Sequence, residues 1–247
     1  MSFLKTLRAN FFFKDRVSRI GAYLDDIQAL QLLNGVFGKP VIFPFSNFSM
    51  NPVAILHATN ELMINSRQCI VEFGSGISTV YLAKAIKNSQ RSIKFLSFDN
   101  SEEWIEAVRN MLKEHNLESH VELVHAPLTD RLDVKCQYKN GTPGKWYNAD
   151  VVETQIGSLD RKIDMVIVDG PSGGTSPFAR YPALITLKER LDDSYFILLD
   201  DIRRDDELEI LAEWARQLGI KYVVNKMYGS INAGKSFSAT PIKTSIQ

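Results

Sequence analysis

The sequence predicts a doubly wound α/β fold, and three observations carry the prediction. Segments with strand and helix character alternate from residue 68 onward, as in parallel strands joined by crossover helices. The strand segments "MVIV" and "YFILL" are apolar at successive positions, which is typical of strands covered on both faces. The chain has 247 residues, which is long for one compact α/β domain and short for two. We therefore expect one domain with an elaboration.

The elaboration is predicted at the N-terminus, as a helical cap over residues 1–60 that precedes a main domain over residues 61–247. Residues 17–34 have helical character, and residues 38–52, "GKPVIFPFSNFSMNP", form a loop punctuated by three prolines. A second helix is expected to start near Pro52. The first 16 residues mix basic and apolar side chains, so we expect them to dock on the domain or on a second subunit, with a membrane surface as the alternative.

Five strand segments follow, with helices between them. They are "CIVEF" (69–73), "IKFLSFD" (93–99), "HVELVHA" (120–126), "IDMVIVDG" (163–170) and "SYFILLDD" (194–201). Asn100 is placed to cap one of the helices, and Gly219 is placed to end another. Asn140-Gly141 predicts a β-hairpin between the third and fourth strands. The segments "IKYVVNKMY" and "KSFSATPI" are predicted to close the sheet as a pair of strands.

The composition excludes several classes of protein. Lys plus Arg (29) equals Asp plus Glu (29), so overall charge gives no case for binding nucleic acid. The chain has two cysteines, and Cys69 lies in an apolar strand, which disfavours a disulfide framework and fits a reducing compartment. No apolar run reaches the ~18 residues of a membrane span, and charges interrupt any signal-peptide core. We expect a soluble cytoplasmic protein.

The stretch "VEFGSGIST", residues 71–79, ends the first strand and predicts a ligand site. Gly74 and Gly76 allow a tight turn and a close approach of backbone to ligand. Asp99 closes the second strand, where an acid can accept the hydroxyls of a ribose. In open α/β sheets, ligands bind beyond the carboxyl ends of the strands, where the strand order reverses. A nucleoside-containing cofactor is therefore expected there.

Two classes of cofactor use such an acid, and two residues separate them. A dinucleotide fingerprint has a third glycine where this chain has Thr79, and Glu72 would lie unfavourably close to a pyrophosphate. S-adenosylmethionine has no phosphate, and its ammonium and sulfonium groups suit a carboxylate. Glu72 therefore favours the sulfonium cofactor, with an NAD-dependent oxidoreductase as the rival interpretation.

The motifs "VEFGSGIST", "FDNS" and "IVDGP", in this order on successive strands, resemble those of the class I S-adenosylmethionine-dependent methyltransferases. The resemblance covers about residues 68–240. It implies a Rossmann-like, seven-stranded and mostly parallel sheet whose last strand is inserted antiparallel. It also implies a set of cofactor contacts: Glu72, Gly74, Ser75, Gly76 and Ser78 on the methionine side, Asp99 and the adjacent Asn100 at the ribose, and His125 and Ala126 beside the adenine.

Three acids are candidates for catalysis. Asp169 follows the fourth strand, and Asp200 and Asp201 follow the fifth, so they should face one cleft as a general base or as ligands of a metal. The layout resembles that of the catechol O-methyltransferase type, which implies Mg²⁺, although the Asn of that family's Asp-Asn pair is absent here. Alternatively, Asp200 and Asp201 cap the next helix or pair with neighbouring arginines.

The loop "GPSGGTSPFARY", residues 170–181, is predicted to close over a substrate, with Arg180 and Tyr181 as contacts. Residues 44–52, "PFSNFSMNP", are predicted to lie near the cofactor. The predicted function is methyl transfer to a hydroxyl of a small molecule or saccharide. A homodimer is considered as the assembly. The alternative outside enzymes is a catalytically degenerate methyltransferase fold that serves as a binding or scaffold protein.

Overall fold

The computed structural model describes residues 3–38 and 41–242, which form seven α-helices and nine strands. The helices are α1 (Phe3–Gly35), α2 (Pro52–Ile64), α3 (Ile77–Ser89), α4 (Glu102–Glu114), α5 (Ala149–Gly157), α6 (Pro182–Leu187) and α7 (Asp205–Leu218). The strands are β1 (Cys69–Phe73), β2 (Lys94–Asp99), β3 (Glu122–His125), β4 (Leu128–Arg131), β5 (Gly144–Tyr147), β6 (Ile163–Val168), β7 (Leu191–Leu199), β8 (Tyr222–Val224) and β9 (Gly229–Asn232).

Seven of these strands form the main sheet, in the order β3-β2-β1-β6-β7-β9-β8. The first five are parallel, and β9 runs antiparallel between β7 and β8. The predicted doubly wound, seven-stranded and mostly parallel sheet is therefore confirmed. The strand order reverses between β1 and β6, which brings the loops after these two strands to the position where open α/β sheets bind ligands.

The core has two layers because successive strand residues point to opposite faces of the sheet. On β1, Val71 and Phe73 pack into a cluster with α5, α6 and α7. Ile70 packs on the other face with α2, α3 and α4. All five residues of β1 are buried, as the uninterrupted apolar pattern predicts for a strand between two helical layers.

The N-terminal segment is more helical than predicted. α1 is continuous over Phe3–Gly35, whereas the sequence predicted a helix over residues 17–34. α2 lies in the same core layer as β1 and α3, and its Ala54, Ile55 and Leu62 are fully buried. The predicted boundary between residues 60 and 61 falls inside α2. The prediction about what residues 1–16 dock against depends largely on side chains outside the described part. No helix of the described residues is long and apolar enough to cross a membrane.

The predicted hairpin around Asn140-Gly141 is only partly correct. These residues form a turn, in which Gly141 N donates to Tyr138 O at 2.8 Å. However, β5 pairs antiparallel with β4, in the register Leu128 to Tyr147, instead of with the residues just before the turn. Those residues include a short 3₁₀ helix, Val134–Cys136. The reason is packing: Tyr147 stacks on Phe73 of β1, with ring centroids 5.6 Å apart, so β5 is drawn to the main core.

The predicted closing strands are also corrected. β8 pairs with β9 at Gly229–Asn232, and "KSFSATPI" (235–242) forms no strand. The chain reverses early because Asn225 N donates to Tyr228 O at 2.8 Å. The segment after β9 is bound to the end of α2 instead, where Phe237 N donates to Asn65 Oδ1 at 2.7 Å.

Other local predictions have mixed outcomes. Gly219 ends α7 in the left-handed conformation (φ 68°), as predicted, and Pro52 occupies the first turn of α2. The cap of α4 is Ser101, not Asn100, since Ser101 Oγ accepts from Trp104 N at 3.1 Å. Both cysteines are buried and free, as expected.

Candidate active site

A cleft of about 420 Å³ opens at the carboxyl ends of β1, β2, β6 and β7. Four loops of the sheet and the N-terminal loop line it: residues 74–78, 99–101, 169–172, 200–201 and 46–50. The side chains of Trp104, Tyr147, Arg180 and Arg204 complete the lining. Residues 46–50, within the segment "PFSNFSMNP" that was predicted to lie near the cofactor, form one wall of this cleft.

The loops that follow β1 and β6 contact each other through two glycines, Gly74 and Gly170. Gly74 has φ 95°, and a Cβ there would lie 2.7 Å from Gly170 N. A Cβ on Gly170 would lie 2.8 Å from Gly74 Cα and 2.3 Å from the Tyr147 hydroxyl. Glycine at these positions is therefore required by the packing of the protein itself.

Gly76 has a different role. Its φ is −179°, an extended conformation open to any residue. A Cβ there would meet nothing within 4 Å, so the space beside it is open. Gly76 N donates to Thr79 Oγ1 at 2.9 Å, which fixes the start of α3. Gly76 thus borders free space in the cleft, whereas Gly74 supports the wall.

Glu72 does not line the cleft, contrary to the prediction that it faces a ligand. Its carboxylate is fully buried and accepts three hydroxyl hydrogen bonds, from Ser78, Thr79 and Ser97, each at 2.6 Å. Burial raises the pKa of Glu72 to about 6, against the opposing effect of these donors. Through Ser78 and Thr79, the Glu72 carboxylate holds the first turn of α3 on the side away from the cleft. Thr79 stands at the position of the third glycine of a dinucleotide site.

Asp99 joins the first two loops of the site. One carboxylate oxygen accepts from Ser75 N at 3.1 Å, and the other accepts from Ser101 N at 2.9 Å. Its side chain lines the cleft, and burial raises its pKa above the ordinary value although these amides oppose the shift. Trp104 Nε1 donates to Ser75 O at 2.7 Å, which fixes the same loop from α4.

Three other predicted contacts lie outside the cleft lining. The His125 side chain is exposed and its Nε2 lies 3.2 Å from Asn100 O. Ala126 is buried in the core, with its amide bonded to Asp99 O. The Tyr181 hydroxyl accepts from Gln217 Nε2 at 2.9 Å, so this side chain is directed to α7. The position of a residue at a strand end therefore does not determine whether its side chain reaches the cleft, packs in the core or faces solvent.

Arg180 is buried, and its guanidinium links the two loops that follow β6 and β7. Its Nη2 donates to Asp169 O at 2.6 Å and to Asp201 Oδ2 at 3.0 Å, and its Nη1 donates to Asp200 O at 3.0 Å. Nε donates to Pro171 O at 3.3 Å. Only 2% of the residue is exposed. Arg180 was predicted to contact a substrate, but its donors are largely committed to the ends of β6 and β7.

Asp169 and Asp200 form an acidic pair in the cleft, at the ends of the neighbouring strands β6 and β7. Burial raises the pKa of Asp200 to about 7, assisted by the negative charge of Asp201. Burial and then the charge of Asp200 raise the pKa of Asp169 well above its ordinary value, although Arg180 opposes the shift. The Asp200 residue is 6% exposed, and its Oδ1 has no hydrogen-bond partner. Asp200 can therefore hold or release a proton near neutral pH.

The structure does not support the predicted metal site at Asp169, Asp200 and Asp201. Within residues 3–38 and 41–242, no group of three or more His, Cys, Asp or Glu side chains is arranged to hold a metal ion. The guanidinium of Arg180 supplies positive charge to this cluster instead, with ion pairs to Asp169 at 3.3 Å and Asp201 at 3.0 Å. Asp201 also pairs with Arg204 at 2.9 Å, which is the alternative that the sequence left open.

Tyr147 follows the Asn140-Gly141 turn, and the sequence left it open whether this side chain forms a wall of the substrate pocket or packs in the core. It is 1% exposed, lines the cleft, and its hydroxyl has no hydrogen-bond partner. Burial raises the pKa of Tyr147 well above the ordinary value for a tyrosine, so the group stays a hydrogen-bond donor. Trp104, Thr79 and Ser97 were not predicted as site residues. No local motif marks them, because their partners lie on other strands.

Comparisons with known proteins agree with this geometry. A family profile described as "Methyltransferase domain" matches residues 71–202, more than half of the chain. No curated protein matches the sequence. Among solved structures, an O-methyltransferase from Bacillus cereus in complex with SAH has a TM-score of 0.53 at 14% identity, covering 85% of this chain and 90% of that one.

Two further structures are similar to a comparable degree. The SAH-bound methyltransferase PaMTH1 from Podospora anserina has a TM-score of 0.53 at 14% identity, covering 90% of this chain and 96% of that one. The O-methyltransferase TomG from Streptomyces achromogenes, involved in tomaymycin synthesis and in complex with SAM, has a TM-score of 0.52 at 13% identity, covering 85% and 90%. At these identities the likeness establishes a shared fold.

Proposed function

This chain belongs to the methyltransferase-domain family, and on that premise we propose that it transfers a methyl group from S-adenosylmethionine to a hydroxyl oxygen of a small molecule. One observation carries the proposal: the glycine loop, Asp99 and the Asp169–Asp200 pair meet in a single cleft at the switch point of the sheet. A cofactor site and a proton-accepting group thus lie side by side.

The residues of the cleft fit the cofactor. Gly76 borders open space, and Asp99 is held at the end of β2, where an acid can accept ribose hydroxyls. The Tyr147 hydroxyl and Asp200 Oδ1 are buried without partners, and such groups are costly unless a ligand or water satisfies them. When bound, the cofactor supplies a methyl group on a positively charged sulfur, which the acceptor oxygen takes as it gives up its proton.

Asp200 is the proposed proton acceptor. A general base works best when its pKa lies near the working pH, and the pKa of Asp200 is about 7. Its unpartnered Oδ1 is free to accept the hydroxyl proton. Asp169 lies on the neighbouring strand end, where burial raises its pKa as well, and Arg180 holds both strand ends in position.

Titration calorimetry tests the cofactor. S-adenosylmethionine and S-adenosylhomocysteine should bind with micromolar dissociation constants, and NAD should not bind. Tight NAD binding, or the absence of binding by both sulfur compounds, would overturn the proposal.

Turnover tests the base once an acceptor has been found by screening. Asp200→Asn should lower kcat by about 10²–10⁴, the range for general acid–base groups, with little change in S-adenosylhomocysteine affinity. For the native protein, kcat/KM should rise as the pH increases through about 7, because Asp200 must lose its proton to act. Full turnover by the Asn variant would leave positioning alone to explain catalysis.

A further inference from the structure

A second cavity adjoins the cleft at Asp200 and Asp201. It has a volume of about 360 Å³ and lies between the second half of α1, the loop of residues 45–52 and Met227. It shares Asp200, Asp201 and four residues of the N-terminal loop with the cleft, so the two spaces lie side by side. Resting on the proposed function, we infer that this second cavity receives the methyl acceptor and selects a hydroxylated molecule with an apolar body and no negative charge.

The apolar part of the lining comes from three segments of the chain. Ile27 and Leu30 of α1 face Phe45 and Met50 of the loop, with Met227 at the β8–β9 turn. Ile27 is 55% exposed, which is a large apolar surface to leave facing solvent beside an active site. Pockets with such walls bind the apolar body of a ligand and use few polar groups to orient it.

The ionisable side chains of the cavity are all acidic. Among its described lining residues these are Asp26, Asp200 and Asp201, and none is a lysine or arginine. An anionic acceptor would lie beside carboxylates without a cation of the lining to offset the repulsion. An uncharged acceptor avoids this repulsion, and an acceptor with an ammonium group is attracted by the carboxylates.

The nearest cations offset the charge of one lining acid, because Arg180 and Arg204 both form ion pairs with Asp201. Arg204 pairs with Asp201 at 2.9 Å and with Glu207 at 3.3 Å. Lys226 pairs with Asp25 at 3.1 Å. Arg203 Nη1 lies 3.8 Å from Met227 Sδ but does not line the cavity. Among the described residues, Asp26 and Asp200 form no ion pair, so these two aspartates carry the remaining negative charge of the lining.

Asp200 fixes the orientation of the acceptor. It is 6% exposed, lines both cavities, and its Oδ1 has no hydrogen-bond partner. A buried carboxylate oxygen without a donor is a site for a hydroxyl, because leaving it unsatisfied costs free energy. The acceptor hydroxyl thus lies at the junction of the two cavities, next to the cofactor cleft, and the apolar body extends toward Ile27.

Three phenols of the same skeleton test the charge selection: tyramine, which is cationic, 4-(2-hydroxyethyl)phenol, which is neutral, and 4-hydroxyphenylacetate, which is anionic. Their dissociation constants are measured by ligand-observed NMR with the full chain saturated with S-adenosylhomocysteine. Tyramine and the neutral phenol should bind at least about tenfold more tightly than the anion. This ratio of dissociation constants corresponds to a difference of about 1.4 kcal/mol in binding free energy. Ile27→Lys adds a positive charge to the lining. It should reduce the ratio of the tyramine affinity to the 4-hydroxyphenylacetate affinity at least fivefold.

The control is Ile20→Lys, the same change two helical turns away on α1. Ile20 is 58% exposed and does not line the cavity, so the ratio should stay at its native value. Any of three results would overturn the inference. The native protein could bind the anion as tightly as the other two phenols, it could bind none of the three, or the two lysine variants could change the affinity ratio equally. Failure of S-adenosylhomocysteine to bind would instead count against the proposed function.

Discussion

At the scale of single residues, two acids of the chain make the same hydrogen bonds at opposite ends of the sheet. Asp99 accepts from Ser75 N and Ser101 N at the carboxyl end of β2. Asp164 accepts from Gln68 N and Cys69 N near the start of β6. Both are largely buried, and burial raises the pKa of each. Their structural contributions are therefore comparable, but only Asp99 lines the cleft.

We predict that Asp99→Ala weakens S-adenosylhomocysteine binding by about 1–3 kcal/mol, the range for removing a charged partner of a hydrogen bond. Asp99→Ala and Asp164→Ala should lower the midpoint of thermal unfolding to a similar extent. Asp164→Ala should leave the affinity for S-adenosylhomocysteine unchanged. Calorimetry and thermal denaturation of both variants measure the two effects. Equal losses of affinity would assign Asp99 a purely structural role.

The sequence predicted the place of Asp99 because a strand-end acid is recognisable from chain position alone. It did not predict the environment of Glu72, whose three donors are 6, 7 and 25 positions away in the chain. Two of these donors lie on α3 and the third lies on β2. Only the pairing of β1 with β2, which sets Glu72 opposite Ser97, brings them together.

At the scale of elements, the loop between β1 and α3 contains one glycine that the fold needs and one that it can replace. Gly74 has φ 95° and touches the backbone of Gly170, while Gly76 has an extended conformation and open space beside it. The sequence treated them alike, since both are consistent with close approach to a ligand. The difference arises from the approach of β6, which no local pattern encodes.

We expect Gly74→Ala to destabilise the protein by at least about 1–2 kcal/mol, the cost of a left-handed conformation for an L-residue, with the contact to Gly170 adding to it. Gly76→Ala should keep the native stability within about 0.5 kcal/mol and weaken S-adenosylhomocysteine binding, because its methyl group enters the cleft. Urea denaturation and calorimetry separate the effects. A stable Gly74→Ala protein would contradict the steric argument.

The long apolar strands and the helices between them were predictable because each carries its own periodicity. The last two strands and the β4–β5 pair were not, since their partners depend on packing. Tyr147 is held by Phe73, and the reversal at Asn225 places β9 beside β7 before the segment 235–242 is reached.

At the scale of the whole molecule, the raised pKa values link stability to pH. Glu72 has a pKa of about 6 and Asp200 of about 7, both because of burial. These groups bind protons more tightly in the folded protein than in the unfolded chain, so protonation favours folding. Their contribution is fully present below the unfolded pKa of about 4 and is lost as the pH rises through 6 and 7. The free energy of unfolding without ligand should therefore decrease from pH 5 to pH 8.

Asp200→Asn should make this decrease shallower between pH 6 and pH 8, because the variant has no carboxyl to ionise at that position. Urea denaturation at several pH values measures the slope. A variant whose slope matches that of the native protein would show that Asp200 does not titrate in this range.

The same ionisation should distinguish the cofactor from its product. S-adenosylmethionine carries a positive sulfur that S-adenosylhomocysteine lacks, and the proposed site places it in a cleft lined by Asp99, Asp169 and Asp200. As the pH rises through about 7, Asp200 becomes charged and the attraction for a cation increases. The ratio of the two affinities should therefore favour S-adenosylmethionine more strongly at pH 8 than at pH 6. Calorimetry at both pH values measures the ratio, and Asp200→Asn should make it independent of pH. A native ratio that is constant from pH 6 to pH 8 would show that Asp200 does not become charged beside the methyl-bearing sulfur, and would count against Asp200 as the base.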